Sequence, residues 1–308
     1  HNEIYNTWPA SIMVGGLDRD GNTVCNDLTY MCVKAISTTK LVNPSVAVCY
    51  TPDMKEDLLD LCVESVANGF TKPSIFNDRV VREGLEAAGV SKRDARYYVH
   101  STCVEITPIS CVNIEVATPY INLIKAFEYI LGGKKEMYGD ICRVGNDIEF
   151  SLDALKSFDD FYALSKQVAA EIIRTYLNDV LKMMYVKQHY FSSPLASAFL
   201  DDCLAEGKDV GAGGARYNFI YPCFPGFINF IDILAAVRKA VYEEGVLSLA
   251  QLGEICRSNF EGAEDMRQYL PNKCPKFGNN IEEVDKIGVE MYEFIKTELK
   301  KYHTSLGA

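Results

Sequence analysis

The sequence is poor in the patterns that announce metal or nucleic-acid chemistry. No Cys-x-x-Cys pair occurs among its eleven cysteines, which removes iron–sulfur and zinc-ribbon spacing. The four histidines, at 1, 100, 189 and 303, lie far apart, and no His-Glu-x-x-His stands among them, so no metal site is expected. Positive charge is in deficit. The formal net charge is −11, and no basic cluster with interleaved aromatics relieves it. An acidic surface disfavours nucleic acid and anionic membranes as partners. Apolar runs are short: Phe227 to Val237 is interrupted by Asp232. None reaches the roughly 18 residues of a membrane helix, so no membrane association is expected. The opening residues HNEIYNTWPAS do not read as a signal peptide, which points to a cytoplasmic setting. Repeats and low-complexity tracts are missing as well.

What is present is ordinary for a folded enzyme-sized chain. The 308 residues are 48% hydrophobic and 24% charged. That length is common for one large α/β unit, and no convincing linker divides it, so residues 1–308 read as a single region. The cysteines are odd in number and scattered, the pattern of reduced, mostly buried thiols.

Local signals alternate in the first hundred residues. Gly15-Gly16 and Asp20-Gly21 mark turns, and Leu28, Met31, Cys32 and Ala35 fall at helical spacing. Pro44 to Thr51 is a Val-rich run bounded by prolines, which predicts a buried strand. The stretch MKEDLLDLCVESVANG predicts a helix closed by Gly69. PSIFND predicts a short strand, DRVVREGLEAAG another helix, and Ser91 caps the approach to a third strand near Tyr97. Such alternation predicts βαβ units and parallel strands, with functional residues at the strands' C-terminal ends. From Tyr120 onward the pattern is mainly helical. One long segment runs from Ser151 to Phe191 with a break near Phe158, and a last helix is capped by Asn280.

Cys103 and Glu105 stand two apart just where a strand ends. On extended chain they point to one side. A carboxylate is a poor neighbour for a thiolate nucleophile, because its charge raises the thiol pKa. A thiyl radical carries no charge and tolerates it. The residues alone also allow a buried thiol beside an ion-paired carboxylate. Pairing Cys103 with His100 as a thiol hydrolase is opposed by their spacing of three, which puts them on opposite faces of a strand. The segment GAGGARYN (211–218) lacks the Lys-Ser/Thr of a phosphate-binding loop and reads as a tight turn against another backbone. Asp18 to Asn22 resembles part of a calcium loop without its later Glu, and reads as a polar turn. Met183, Met184 and the aromatics from Tyr185 to Phe191 read as core.

Four motifs in order resemble the glycyl radical enzymes related to pyruvate formate-lyase. They are VGGLDRDGNTVCNDLTYMCVKA, PSIFNDRVVREGLEAAGVSKRDARYYVHSTCVE, GGARYN and PKFGNNIEEVDKI, spanning residue 13 to about 290. The resemblance implies a ten-stranded α/β barrel of two parallel halves with helices outside, entered by the loop that bears Cys103. It implies that a protein glycyl radical, installed by a radical S-adenosylmethionine activating enzyme, oxidises Cys103 to a thiyl. No bound cofactor in this chain, a small-molecule substrate, a homodimer and an anaerobic bacterial host go with it. The Cys-x-Glu pattern is similar to the eliminating members: glycerol, diol and hydroxyproline dehydratases and choline lyase. There the residue matching Glu105 is the base. Tyr120, 17 residues after Cys103, and Trp8 resemble substrate-pocket aromatics. Arylacetate decarboxylases share Cys-x-Glu. The pyruvate lyase has adjacent cysteines, where this sequence has Thr102 and Val104. The version STCVEITP leans towards hydroxyproline-dehydratase-like enzymes.

Two departures stand out. Cys49 occupies a position where the resemblance places an Arg, and no Arg-Val-x-Gly-Tyr segment, the seat of the radical glycine, occurs. The family's N-terminal half-barrel also has no counterpart before His1. The chain therefore reads as the central fragment of a longer enzyme, inactive alone, with a binding or scaffolding fragment as the competing reading.

Overall fold

The structure, a computed structural model, describes residues 11–18, 20–41, 44–100, 105–113, 118–133 and 148–306. In chain order the first elements are β1 (Ser11–Gly15), α1 (Asp27–Thr39), β2 (Ser45–Tyr50), α2 (Glu56–Ala67), β3 (Ser74–Asn77), α3 (Asp78–Ala87), β4 (Tyr98–His100) and β5 (Ile106–Pro108). The helices α4 (Lys125–Leu131), α5 (Phe158–Tyr190), α6 (Pro194–Ser197), α7 (Asp201–Glu206), α8 (Phe227–Val237), α9 (Leu249–Arg257), α10 (Glu264–Lys273) and α11 (Glu282–Leu299) follow. The chain packs as two compact units, one of residues 1–116 with 190–219, the other of 117–189 with 220–308.

The first unit is built on a three-stranded parallel sheet in the order β1-β2-β3. Ser11 pairs with Ser45 and Gly15 with Cys49 on one side of β2, and Ala47 with Ser74 on the other. The Val-rich run of β2 sits in the middle and is buried throughout except at Tyr50, as its composition predicts. Side chains alternate across the sheet. Val14, Val48 and Tyr50 pack on Val33 of α1, on Met54, and on Leu58 and Cys62 of α2. Complete burial of Leu58 and Val33 contributes roughly 1.5–3 kcal/mol each. The other face carries Ser45, Cys49 and Phe76.

Four expectations need correction here. The helix α1 forms, but not on the predicted face: Leu28 and Met31 are 63% and 64% exposed, while Thr29, Val33 and Ile36 are buried. The cause is local. Asn26 accepts from the Thr29 amide at 3.1 Å, and the Thr29 hydroxyl accepts from the Asn26 amide, a reciprocal cap that turns Thr29 inward. Val33 and Ile36 follow at one-turn spacings. Second, β1 is a strand where only turns are expected, because its Gly15-Gly16 end hides a short run. Third, β4 does not extend the parallel sheet. It pairs antiparallel with β5, Tyr98 opposite Pro108 and His100 opposite Ile106. Fourth, Asn280 is not the cap of α11: it has φ +56, and Ile281 flanks the helix without a side-chain bond. The helix α10 also lacks a predicted counterpart, since Pro271 lies inside it.

The second unit is helical around one large apolar core. Phe127 of α4 sits 4.7 Å from Phe230 of α8 and 5.9 Å from Phe161 of α5, centroid to centroid. The break near Phe158 is real. Ser157 accepts from the Asp160 amide at 3.2 Å, Asp160 accepts from the Ser157 amide at 2.9 Å, and the 33-residue α5 starts there. Met184 is buried, but Tyr185, Tyr190 and Phe191 are exposed, so the aromatic end of α5 is not core. At α8 the chain runs into a π turn, Arg238–Glu243. Gly253 of α9 lies so close to α4 that a Cβ there would stand 2.7 Å from the Leu131 carbonyl oxygen.

Candidate active site

The β4–β5 hairpin lies on the polar face of the sheet, and two side chains of β4 tie it there. Tyr98 and His100 are two apart, so both face β2. The Tyr98 hydroxyl donates to Oδ1 of Asp78 at 3.1 Å. The Cys49 sulfur lies 2.9 Å from the Tyr98 oxygen and 3.7 Å from Oδ1 of Asp78, so its thiol hydrogen has both as acceptors. The second oxygen of Asp78 takes the Arg82 guanidinium at 2.7 Å, one turn along α3. Asp78 is 4% exposed, in the first turn of a helix whose cap, Asn77, accepts from the Val80 amide. A helix N-terminus favours a carboxylate there. Burial pushes the Cys49 thiol up to about 11, the Asp78 charge adding to it, and burial raises the Tyr98 phenol.

At the other end of β4, His100 is 1% exposed. Its ring is 5.7 Å from Phe76, and Nε2 is 3.4 Å from the Ser45 hydroxyl. Lys72 donates to that hydroxyl at 2.8 Å, which leaves the Ser45 hydrogen for the imidazole. The Nδ1 atom is buried with no hydrogen-bond partner among the described residues. Burial lowers the His100 pKa, the Lys72 ammonium lowers it further, and the Glu105 charge works the other way. Tyr98 thus meets the end of β2 and His100 its start. β4 therefore runs antiparallel to β2, laid on the sheet and not within it.

Of the residues singled out in the sequence, Glu105 is half-buried at the foot of β5. Cys103 and Trp8 lie outside the described residues. Tyr120 belongs to the second unit, where it bridges to Cys223 and is 59% exposed. The described cysteines are all free, and Cys49, Cys62, Cys111, Cys203 and Cys274 are buried. Cys49, where an Arg is expected, hydrogen-bonds Tyr98 at 2.9 Å and Asp78 at 3.7 Å. The glycine-rich 211–218 segment is a packed turn: a Cβ on Gly214 would stand 2.2 Å from the Lys208 carbonyl oxygen. Asp18 closes its own turn by accepting from the amides of Asp20 and Asn22 at 2.9 and 2.8 Å. Sequence reasoning missed Tyr98, Asp78 and Lys72. Asp78 reads there as one more helix-start acid, and nothing local marks its partners.

Residues 2–308 match the family described as pyruvate formate lyase-like. The chain is 30% identical over 303 residues to trans-4-hydroxy-L-proline dehydratase of Clostridioides difficile, covering 97% of this chain and 37% of that protein. It is 29% identical over 293 residues to (2S)-3-sulfopropanediol dehydratase of Klebsiella oxytoca, covering 92% of this chain and 34% of that protein. The fold is similar to the glycerol-bound B12-independent glycerol dehydratase from Clostridium butyricum, with a TM-score of 0.81 at 26% identity, over 97% of this chain and 37% of that one. This chain therefore spans little more than a third of the length of the relatives it matches.

Proposed function

This chain belongs to the pyruvate formate lyase-like family, and on that premise we propose that it forms part of a glycyl radical enzyme that eliminates water or a similar leaving group from a small hydroxylated substrate. The observation that carries the reading is Cys103-Val104-Glu105, strung between β4 and β5 of a hairpin tied to the sheet at both ends of β4. A glycyl radical elsewhere in the full protein, installed by a radical S-adenosylmethionine activating enzyme, supplies the unpaired electron.

The chain's own residues then have distinct tasks. The sulfur of Cys103, as a thiyl, takes a hydrogen atom from the carbon that bears a hydroxyl. Glu105 takes that hydroxyl's proton. The electron density released drives out the leaving group on the neighbouring carbon, and the resulting carbonyl-stabilised radical recovers a hydrogen atom from the Cys103 thiol. The thiyl is regenerated, and the substrate has lost the leaving group with one proton. The hairpin contributes position, and the packed sheet face contributes exclusion of water. Tyr120 and Trp8 are assigned to the substrate pocket, and the full-length enzyme to a homodimer in the cytoplasm. A small vicinal diol such as glycerol is the first substrate to try, because it supplies both the hydroxyl that Glu105 deprotonates and a leaving group on the neighbouring carbon.

The test uses the full-length activated protein. Cys103→Ser abolishes turnover and leaves the glycyl radical signal in the electron spin resonance spectrum. Turnover by the Cys103→Ser protein overturns the reading. Glu105→Gln lowers kcat by about 10²–10⁴-fold, the range of a lost general base.

A further inference from the structure

A hairpin with two strands of three residues is not stable alone. Its direction has to come from what it is fastened to. The described residues show two fastenings on β4, and they differ in kind. His100 makes one long contact, 3.4 Å, to a serine hydroxyl. Tyr98 enters a connected set: it donates to Asp78, Cys49 hydrogen-bonds both Tyr98 and Asp78, and Arg82 holds the other oxygen of Asp78. The phenol oxygen, the thiol sulfur and both oxygens of Asp78 each have a partner in that set. The set ties β4 to β2 and to the first turn of α3 across separations of 49 and 20 residues.

Buried polar groups cost stability unless paired, and an apolar trio of similar volume would fill this space. A fully paired network does something an apolar contact does not: it admits one register. Sliding β4 by one residue would turn the Tyr98 side chain away from β2 and strand the carboxylate and the thiol. Cys49 suits this arrangement because it is small. It leaves room for the phenol, and the Asp78 carboxylate takes its cation from its own helix instead of from β2.

We propose that the Tyr98 hydroxyl, held between Asp78 and Cys49, is the positioning anchor of the β4–β5 hairpin and, through it, of the Cys103–Glu105 pair. The catalytic half of this statement rests on the function proposed above; the anchoring half does not. Tyr98 touches no reacting atom and acts only by setting where the hairpin stands.

The experiment compares Tyr98→Phe, Asp78→Asn, Cys49→Val and Cys49→Ser in the full-length protein. Before activation, amide hydrogen exchange is read at the β4 and β5 amides, together with the rate at which iodoacetamide alkylates Cys103. Exchange at these amides rises about tenfold or more in Tyr98→Phe, Asp78→Asn and Cys49→Val, and Cys49→Ser, which keeps a donor, restores it. After activation, Tyr98→Phe keeps the glycyl radical amplitude and its KM to within about twofold, while kcat falls on the order of 10²-fold, the size expected from a misplaced reacting group. Wild-type exchange and wild-type kcat in Tyr98→Phe overturn the proposal. So does a loss of kcat matched by an equal loss of radical or by general unfolding, since that is what a merely structural residue gives. If the hairpin loosens as expected but Cys103→Ser still turns over, the anchor stands and the proposed function falls.

Discussion

The two units solve the problem of a buried interior in opposite ways. The second concentrates its interior in one apolar core, with Phe127, Phe161 and Phe230 in ring contact and α5 contributing Leu164, Val168, Ile172 and Leu177. The first has a smaller apolar cluster around Leu58 and Val48, and next to it buries Ser45, Asp78 and His100. An apolar core tolerates repacking if volume is kept. A buried polar set does not tolerate loss of one member, because the remaining groups are left unpaired. The unit that carries Cys103 and Glu105 is the one that relies on geometry-specifying contacts. The helical unit is built for bulk stability.

This contrast can be broken or sharpened by measurement. The largest effect is expected in the helical unit. Phe230→Ala, at a fully buried ring, costs about 3–5 kcal/mol and shows as a lowered urea midpoint, with exchange loosened first in α5 and α8. A loss under 1 kcal/mol there would deny that this core is tightly packed. Next comes Gly214→Ala in the first unit. Its new Cβ would meet the Lys208 carbonyl, so backbone must shift at a cost of about 1–3 kcal/mol, read from the same melt. A smaller, pH-dependent effect belongs to His100. Burial lowers its folded-state pKa from the ordinary imidazole value of 6.5, so below that pH the unfolded chain binds a proton that the folded chain refuses. Stability therefore falls as pH drops below about 6.5, by at most about 1.4 kcal/mol per pH unit, until the lowered folded value is reached. His100→Gln removes that slope, seen by comparing urea midpoints at pH 7.5 and 5.5. The smallest effect is Arg267→Ala. Its bidentate pair with Glu264 is solvent-exposed, and no shift in midpoint at physiological salt is expected.

Much of the secondary structure was readable because its causes are local. The Val-rich run of β2 between prolines and the acids that open α2 each act within a few residues. The strand β1 was not readable because its five residues end in a glycine pair that is a turn signal in its own right. The face of α1 was misjudged because two overlapping stripes exist, and a threonine hydroxyl decided between them. At the site, chemistry was legible and placement was not. Cys103 and Glu105 stand out by residue type, but the contacts that orient their hairpin join Cys49, Asp78 and Tyr98 from three separate segments. No periodicity within any one segment encodes them.

The raised thiol of Cys49 has one more consequence. Burial pushes the thiols of Cys49, Cys62 and Cys111 up to about 11, so the thiolate is a minor form of each at neutral pH. Electrophiles and peroxides react with thiolates, and these sulfurs offer almost none. A chain so rich in cysteine would otherwise present a sink for alkylating and oxidising agents, and its inventory of free thiols would drift during handling. Here the fold leaves most of that sulfur inert. A thiol titration of the native protein therefore reports on the few accessible groups, such as the half-buried Cys25 and Cys32, and a complete count appears only after denaturation.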